Sequence, residues 1–173
     1  MQQPATLMTA ARKGSDQAFS GLLESVLEPG YRLACGMLHD PQSAEDAVQE
    51  ASIKAWRKLS QLREDQALRP WFLSIVANEC RSTRRSRWWS ILKIERSDRL
   101  ADPPADSVIS RLEVRRALRG LDHKKRLVLV LRWYLDLSLE EISTITGSSV
   151  HAVEGRLQRG MHELRRRLEA PEC

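Results

Sequence analysis

Seven basic residues stand between Arg81 and Arg99 (Arg81, Arg84, Arg85, Arg87, Lys93, Arg96 and Arg99) against two acids, Glu95 and Asp98. Guanidinium and ammonium groups at that density suit phosphate better than water, because each fixed cation can replace a counterion on an anionic polymer. A second set, His151, Glu154, Arg156, Gln158 and Arg159, has the chemistry of base edges. Arginine can grip guanine through two acceptors, glutamine can do the same for adenine, and a carboxylate accepts from cytosine. Covalent catalysis has no foothold. His39, His123, His151 and His162 are scattered, with no His-Glu-x-x-His, nucleophile elbow or glycine-rich phosphate loop. Cys35, Cys80 and Cys173 are odd in number and far apart, which fits two small core residues and a loose terminal thiol better than a zinc or redox site. No cofactor or metal is expected, and the chemistry that remains is recognition without bond making.

These groups need helices to carry them, and the patterning is helical throughout. Residues 4–13 read as a short helix stopped by Gly14, and Asp16 starts another with Phe19, Leu22, Leu23 and Val26 on one stripe. Pro29-Gly30 is expected to kink or split that helix before Leu33, Ala34, Met37 and Leu38 resume the stripe. Asp40 and Pro41 are cap and first-turn residues for a third helix, with Ser43 and Asp46 as an alternative capping pair. Its Ala44, Ala47, Val48, Ala51, Ala55 and Leu59 turn inward, leaving Glu45, Asp46, Gln49, Glu50, Lys54 and Arg57 wet. After a loop over 60–68, Pro70 restarts a helix that buries Phe72, Ile75, Val76 and Cys80 and presents Asn78, Arg81, Arg84, Arg85 and Arg87. Acid early and base late also suits the helix dipole, so either helix alone would be an ordinary solvated surface.

From Trp88 to Ser107 the periodicity fades, and Asp102-Pro-Pro-Ala-Asp106 suits no regular element. The paired Trp88 and Trp89 are expected to pack on a helix or a partner. A second unit opens with Val108, Leu112, Leu118 and Leu121, and Asp122 caps a helix whose buried face is Leu127, Val130, Leu131 and Tyr134. Ser138 and Glu141 form a capping box before Ile142 and Ile145. Gly147 breaks that helix, and Ser148 or Ser149 caps a last one carrying Val153, Leu157, Met161, Leu164 and Leu168. Helix, tight turn, helix is the pattern whose second helix enters a DNA major groove, and equally that of a plain helical hairpin.

The fold class expected is all-α, in two small helical domains with separate cores joined by a linker, the second a helix-turn-helix domain. The boundaries are 1–87, 88–107 and 108–173. A net charge of +5 and a pI near 9.4, unevenly distributed, favour nucleic acid as partner. No run of eighteen apolar residues and no signal-peptide pattern at Met1 to Thr9 appears, so a cytoplasmic location without membrane insertion is expected.

Taken together, three ordered segments resemble the sigma-70 family of bacterial sigma factors, in particular its small two-domain extracytoplasmic function group. Residues 43–56, SAEDAVQEASIKAW, resemble its polymerase-binding helix, and residues 69–78, RPWFLSIVAN, the start of its minus-10 helix. Residues 137–142, LSLEEI, and 150–159, VHAVEGRLQR, resemble its minus-35 helix-turn-helix. The resemblance implies that Asp46, Gln49, Glu50 and Lys54 meet the clamp helices of core RNA polymerase. It implies that the loop from Leu62 through Arg63 and Asp65 to Leu68 captures a flipped base, whose pocket lowers the cost of opening the duplex. Asn78, Arg81, Arg84 and Arg85 would contact the neighbouring strand, and His151, Glu154, Gly155, Arg156, Gln158 and Arg159 the minus-35 element. It further implies promoter DNA and an anti-sigma factor as partners, and no enzymatic activity.

Four positions depart from the family pattern. Glu154 stands where a basic residue is common, Gly155 where serine is common, Asp136 where glycine precedes the turn, and Leu62 where an aromatic is frequent. Aspartate tolerates the left-handed conformation better than most residues, so the turn at Asp136 is expected to survive. The competing readings are a stand-alone helix-turn-helix regulator and a helical adaptor that binds proteins only. A small helical enzyme lacks any acid-base or metal constellation.

Overall fold

A computed structural model describes the backbone of residues 4–62, 67–91 and 108–169, with side chains from 6 to 62, 67 to 83 and 113 to 169. Eight α-helices run through these residues: α1 Pro4–Arg12, α2 Asp16–Leu38, α3 Pro41–Lys58, α4 Leu68–Ile91, α5 Val108–Arg119, α6 His123–Leu129, α7 Leu139–Thr146 and α8 Val150–Glu169. No strand occurs among the described residues. A 3-10 turn over Leu59–Gln61 ends α3, and α6 runs on as a π-helical stretch over Val130–Tyr134.

Local chemistry marks the ends. Gly14 at φ 91° separates α1 from α2, whose N-cap is Ser15, its hydroxyl accepting from the Ala18 N–H. Asp40 caps α3, accepting from both the N–H and the hydroxyl of Ser43, so Ser43 belongs to the Asp40 cap and not to a cap built with Asp46. Helix α4 starts at Leu68, which puts Pro70 in its first turn, where no helical N–H partner is missed. It runs to Ile91, past the expected end at 87, because nothing between Arg87 and Ile91 breaks a helix; residues 92–107 of the expected linker lie outside the described residues.

The expected split at Pro29-Gly30 does not occur, and α2 is one helix of 23 residues. Proline removes a single ladder bond, and packing on α3 and α4 outweighs that loss. Gly30 belongs to the packing: a Cβ there would lie 2.7 Å from Cε1 of Phe72, so the glycine lets α4 lie close. Phe72, Leu73 and Val76 of α4 are fully buried with Leu33, Ala34 and Met37 of α2 and the alanine face of α3. Cys80 is buried with them, and burial pushes its thiol pKa up to about 12, so it acts as a small apolar residue. Ala11, Ala18, Leu22, Leu59 and Leu62 form a second, smaller cluster under α1.

Helices α6, α7 and α8 bury Leu127, Val128, Leu131, Ile142, Val153 and Leu157. These side chains do not form the separate second core that the sequence leads one to expect, but continue the cluster of the first half. Asp136 has φ 53°, so the turn before α7 keeps the left-handed residue. Two expected core positions are corrected: Tyr134 is 49% exposed and Leu168 is 44% exposed. The π-helical stretch shifts the register of α6, turning Tyr134 outward, and Leu168 lies in the last turn of α8, where residues 165–169 are all exposed.

Phe72 fills the space that Gly30 leaves between α2 and α4. Phe72→Ala is expected to lower unfolding stability by about 3–5 kcal/mol, the range for a buried phenylalanine truncation. Urea denaturation followed by circular dichroism measures it, and a loss below about 1 kcal/mol would contradict this packing.

Candidate nucleic-acid interface

The α7–α8 unit is built by its caps. Ser138 accepts from the Glu141 N–H at 3.2 Å while the Glu141 carboxylate accepts from the Ser138 N–H at 2.9 Å, a closed capping box. Next to it, hydrogen bonds from the backbone and then from Ser138 hold the Glu140 carboxyl below its ordinary range. Gly147 ends α7 at φ 61°, and the Ser148 N–H bonds back to the Ser143 carbonyl at 3.1 Å. Ser149 caps α8, accepting from the Ala152 N–H at 3.2 Å. Ser148 serves the turn differently, its hydroxyl accepting from Nη1 of Arg156 at 2.7 Å.

Val153, Leu157 and Gly160 face the core along α8, which turns His151, Glu154, Gln158 and Arg159 outward. His151 and Glu154 pair loosely at 3.9 Å in solvent. Gly155 is half-buried beneath the Arg159 guanidinium, 3.2 Å from where a Cβ would sit. Arg156 differs from expectation: it is half-buried and bent back on the turn, where it braces Ser148. The helix is held against α6 by charges. Lys125 Nζ lies 2.8 Å from Glu163 and 2.9 Å from Asp122, and Arg167 lies 2.9 Å from the same Glu163. Bonds from Lys125 and then Arg167 depress the Glu163 pKa, and those to Glu163 and then Asp122 raise that of Lys125. Burial would raise Asp122, but the N–H and ammonium of Lys125 outweigh it and leave it lowered.

In α4, Asn78 and Arg81 are exposed; Arg84 and Arg85 continue the helix, with side chains outside the described set. Asn78 and Arg81 line a crevice of about 280 Å³ whose far wall includes Lys124, Thr146, Ser148 and Arg156. The structure thus brings together residues expected at two different DNA elements. The base-capturing loop is corrected at one end. Leu62 is 2% exposed in the cluster under α1, its carbonyl accepting from Arg12, so it has no free surface to wall a base pocket in this conformation. Leu68 is half-buried, and Arg63 and Asp65 lie outside the described residues.

On α3, Asp46, Gln49 and Glu50 form an exposed face, and Gln42 donates to Asp46 at 3.3 Å. Lys54 is drawn inward from it, 2.7 Å from Glu79 of α4 and 3.4 Å from Glu50, and its pKa is raised first by the bond to Glu79. Sequence reasoning missed Ile53, 40% exposed beside Gln49 and Glu50. An aliphatic residue four positions after Gln49 and seven after Asp46 was the available signal.

Comparison with known proteins decides what this geometry belongs to. A family model described as Sigma-70 region 2 matches residues 22–90, and one described as Sigma-70, region 4 matches residues 111–164. The RNA polymerase sigma factor CnrH of Cupriavidus metallidurans is 30% identical over 181 residues, covering 95% of this chain and 93% of CnrH. The chain belongs to the sigma-70 family of RNA polymerase sigma factors. It falls in the extracytoplasmic function group, and is 28% identical to the ECF RNA polymerase sigma factor SigW of Bacillus subtilis over 91% of this chain and 92% of SigW. A solved structure of CnrH in complex with the cytosolic domain of CnrY superposes with a TM-score of 0.73 at 26% identity, over 96% of this chain and 97% of that one. As a sigma factor it is a transcription-initiation protein and not an enzyme, and the stand-alone regulator reading is not favoured. No described helix is long and apolar enough to cross a membrane.

The Lys125–Glu163–Arg167 brace gives this sigma factor's second half a pH-dependent stability. Glu163 titrates below its ordinary 4.5, so its contribution is present above the unfolded pKa and lost as pH falls through the folded one. Glu163→Gln is expected to flatten the stability loss between neutral pH and pH 3, read as melting temperature against pH. An unchanged slope would mean that the brace contributes nothing.

Proposed function

We propose that this ECF sigma factor docks on core RNA polymerase through the α3 face and reads promoters through two separate surfaces, under the control of a protein inhibitor of the anti-sigma kind. The observation that carries the docking reading is the exposed stripe Asp46, Gln49, Glu50 and Ile53, acidic and amide groups around one aliphatic centre in a basic protein. An apolar centre with a polar rim is the usual anatomy of a protein-binding patch. Lys54, held by Glu79, braces that face in place.

In this reading residues 1–87 form the docking and minus-10 domain, 88–107 the linker, and 108–173 the minus-35 domain. Asn78 reads a base edge while Arg81, Arg84 and Arg85 hold phosphates, and the loop residues Arg63, Asp65 and Leu68 border the captured base. Gln158 and Arg159, with His151 and Glu154, face the major groove, and Arg156 shapes the turn beneath them. The complex of the relative CnrH with a cytosolic domain supports both a protein partner and a cytoplasmic location.

Binding of the purified chain to core RNA polymerase tests the docking face. Asp46→Arg with Glu50→Arg is expected to weaken association at least tenfold while leaving helicity unchanged. Undiminished binding by the double reversal would overturn the assignment of that face. On a minus-35 duplex with polymerase present, Arg159→Ala is expected to lose about 1–3 kcal/mol if it reads a base, and to reduce the salt slope instead if it holds a phosphate. No change in either would remove Arg159 from the interface.

A further inference from the structure

The crevice bordered by Asn78 and Arg81 carries charge of one sign. Arg81 of α4, Lys124 of α6 and Arg156 of α8 all line it, and no acidic residue does. Its apolar lining includes Leu127, Val128 and Ile145, which are buried, so the cations stand beside a weakly polarisable wall that strengthens their field. Asn78 adds an amide and Ser148 a hydroxyl.

The carboxylates closest in sequence to these cations are engaged elsewhere. Glu79, next to Asn78, is held by Lys54 at 2.7 Å, and Asp122 and Glu163 are both held by Lys125. Among the described residues no ion pair ties Arg81, Lys124 or Arg156. Arg156 is the most telling of the three. It is half-buried and bent back on the turn, and among the described residues its one hydrogen bond goes from Nη1 to the neutral Ser148 hydroxyl. A guanidinium drawn partly out of water with a neutral partner is left with N–H groups that an anion satisfies.

Size and layout narrow the ligand. At about 280 Å³ the crevice stands near the lower end of the roughly 300–1,000 Å³ of small-ligand sites, with room for two or three phosphate groups and too little for a duplex to enter. A carboxylate offers two oxygens and a single charge to one cation. Three cations on three helices match an anion with several charges and oxygens pointing in several directions, and arginine forks suit phosphate oxygens in pairs.

We propose that this crevice is a binding site for a small free polyphosphate, pyrophosphate or the di- or triphosphate end of a nucleotide, held by Arg81, Lys124 and Arg156. The ligand takes cations from both sides of the linker, so it binds this arrangement of the two halves and stabilises it by mass action. The assignment rests on the crevice and not on any role of Arg81 or Arg156 at DNA. The phosphates of a DNA backbone share the same chemistry, and the experiment separates the two sources.

The test is calorimetric titration of the purified full chain with sodium pyrophosphate at fixed ionic strength. Saturable binding of one pyrophosphate per chain is expected, with sulfate at the same ionic strength at least about tenfold weaker. Lys124→Glu and, from the other half, Arg81→Glu are each expected to weaken pyrophosphate at least about tenfold with helicity by circular dichroism unchanged. Lys58→Glu makes the same change in net charge at the exposed end of α3 and is expected to leave the affinity as it was. Heat that does not saturate, or an equal loss with Lys58→Glu, would reduce the binding to general attraction by a basic protein and overturn the site. A short duplex without promoter elements is expected not to displace the bound pyrophosphate. Displacement would make the crevice a contact for the DNA backbone and overturn the free-ligand assignment.

Discussion

Close approach to α2 is the constraint on which the rest of this structure depends. Helices with a Cβ at positions 30 and 36 of this 23-residue rod could not let Phe72 of α4 and Val130 of the π-helical stretch come as close as they do. Glycine at positions 30 and 36 removes the atoms that would keep them apart, one on each side of a turn and a half of helix. Phe72 enters the first gap and Val130 meets the second, so one helix organises the first half and receives the second. Proline beside the first glycine is tolerated because this packing outweighs a single absent ladder bond.

Electrostatics divides the molecule along different lines. The acidic and amide groups of α3 stay outside because its inner face is almost wholly alanine, which lets the helix sit flat against α2 and α4. Lys54 is the exception, and its bond to Glu79 ties the outer face of α3 to α4. Apart from Arg156, the basic side chains of α8 point outward for a complementary reason, since Val153, Leu157 and Gly160 claim the inner face. A protein with net positive charge can thereby offer an acidic patch to one partner and a basic one to another.

Buried charge is used sparingly. Arg126 is the clearest case among the described residues, a guanidinium taken out of water and surrounded by backbone carbonyls from both halves. Carbonyls near helix ends carry the negative pole of the dipole and lack helical donors, so a planar cation with five N–H groups suits them better than water could in that space. Lys125, one residue earlier, faces the other way and serves α8 through Glu163. Adjacent residues on α6 thus address different surfaces, which follows from the angle of about 100° between successive positions on a helix.

Much of this was readable without coordinates. Helix starts at Asp16, Pro41 and Leu139, the capping box at Ser138 and Glu141, the stop at Gly147 and the left-handed Asp136 all follow from short-range hydrogen bonding and backbone sterics, which act over a few residues. The family resemblance rests on the same kind of contiguous segments. What lay beyond reach depended on partners distant in the chain: the uninterrupted α2, the burial of Leu62 under α1, the exposure of Tyr134, the bent-back Arg156 and the main core shared by both halves. A hydrophobic stripe states that a face will be covered but not by what, and two helical units with apolar faces can each close alone or close on one another. The sequence by itself determined the helices, their caps and the family; only the tertiary structure decided that Gly36 and Val130 meet, because that contact is made of space left empty, and an absent side chain has no pattern to read.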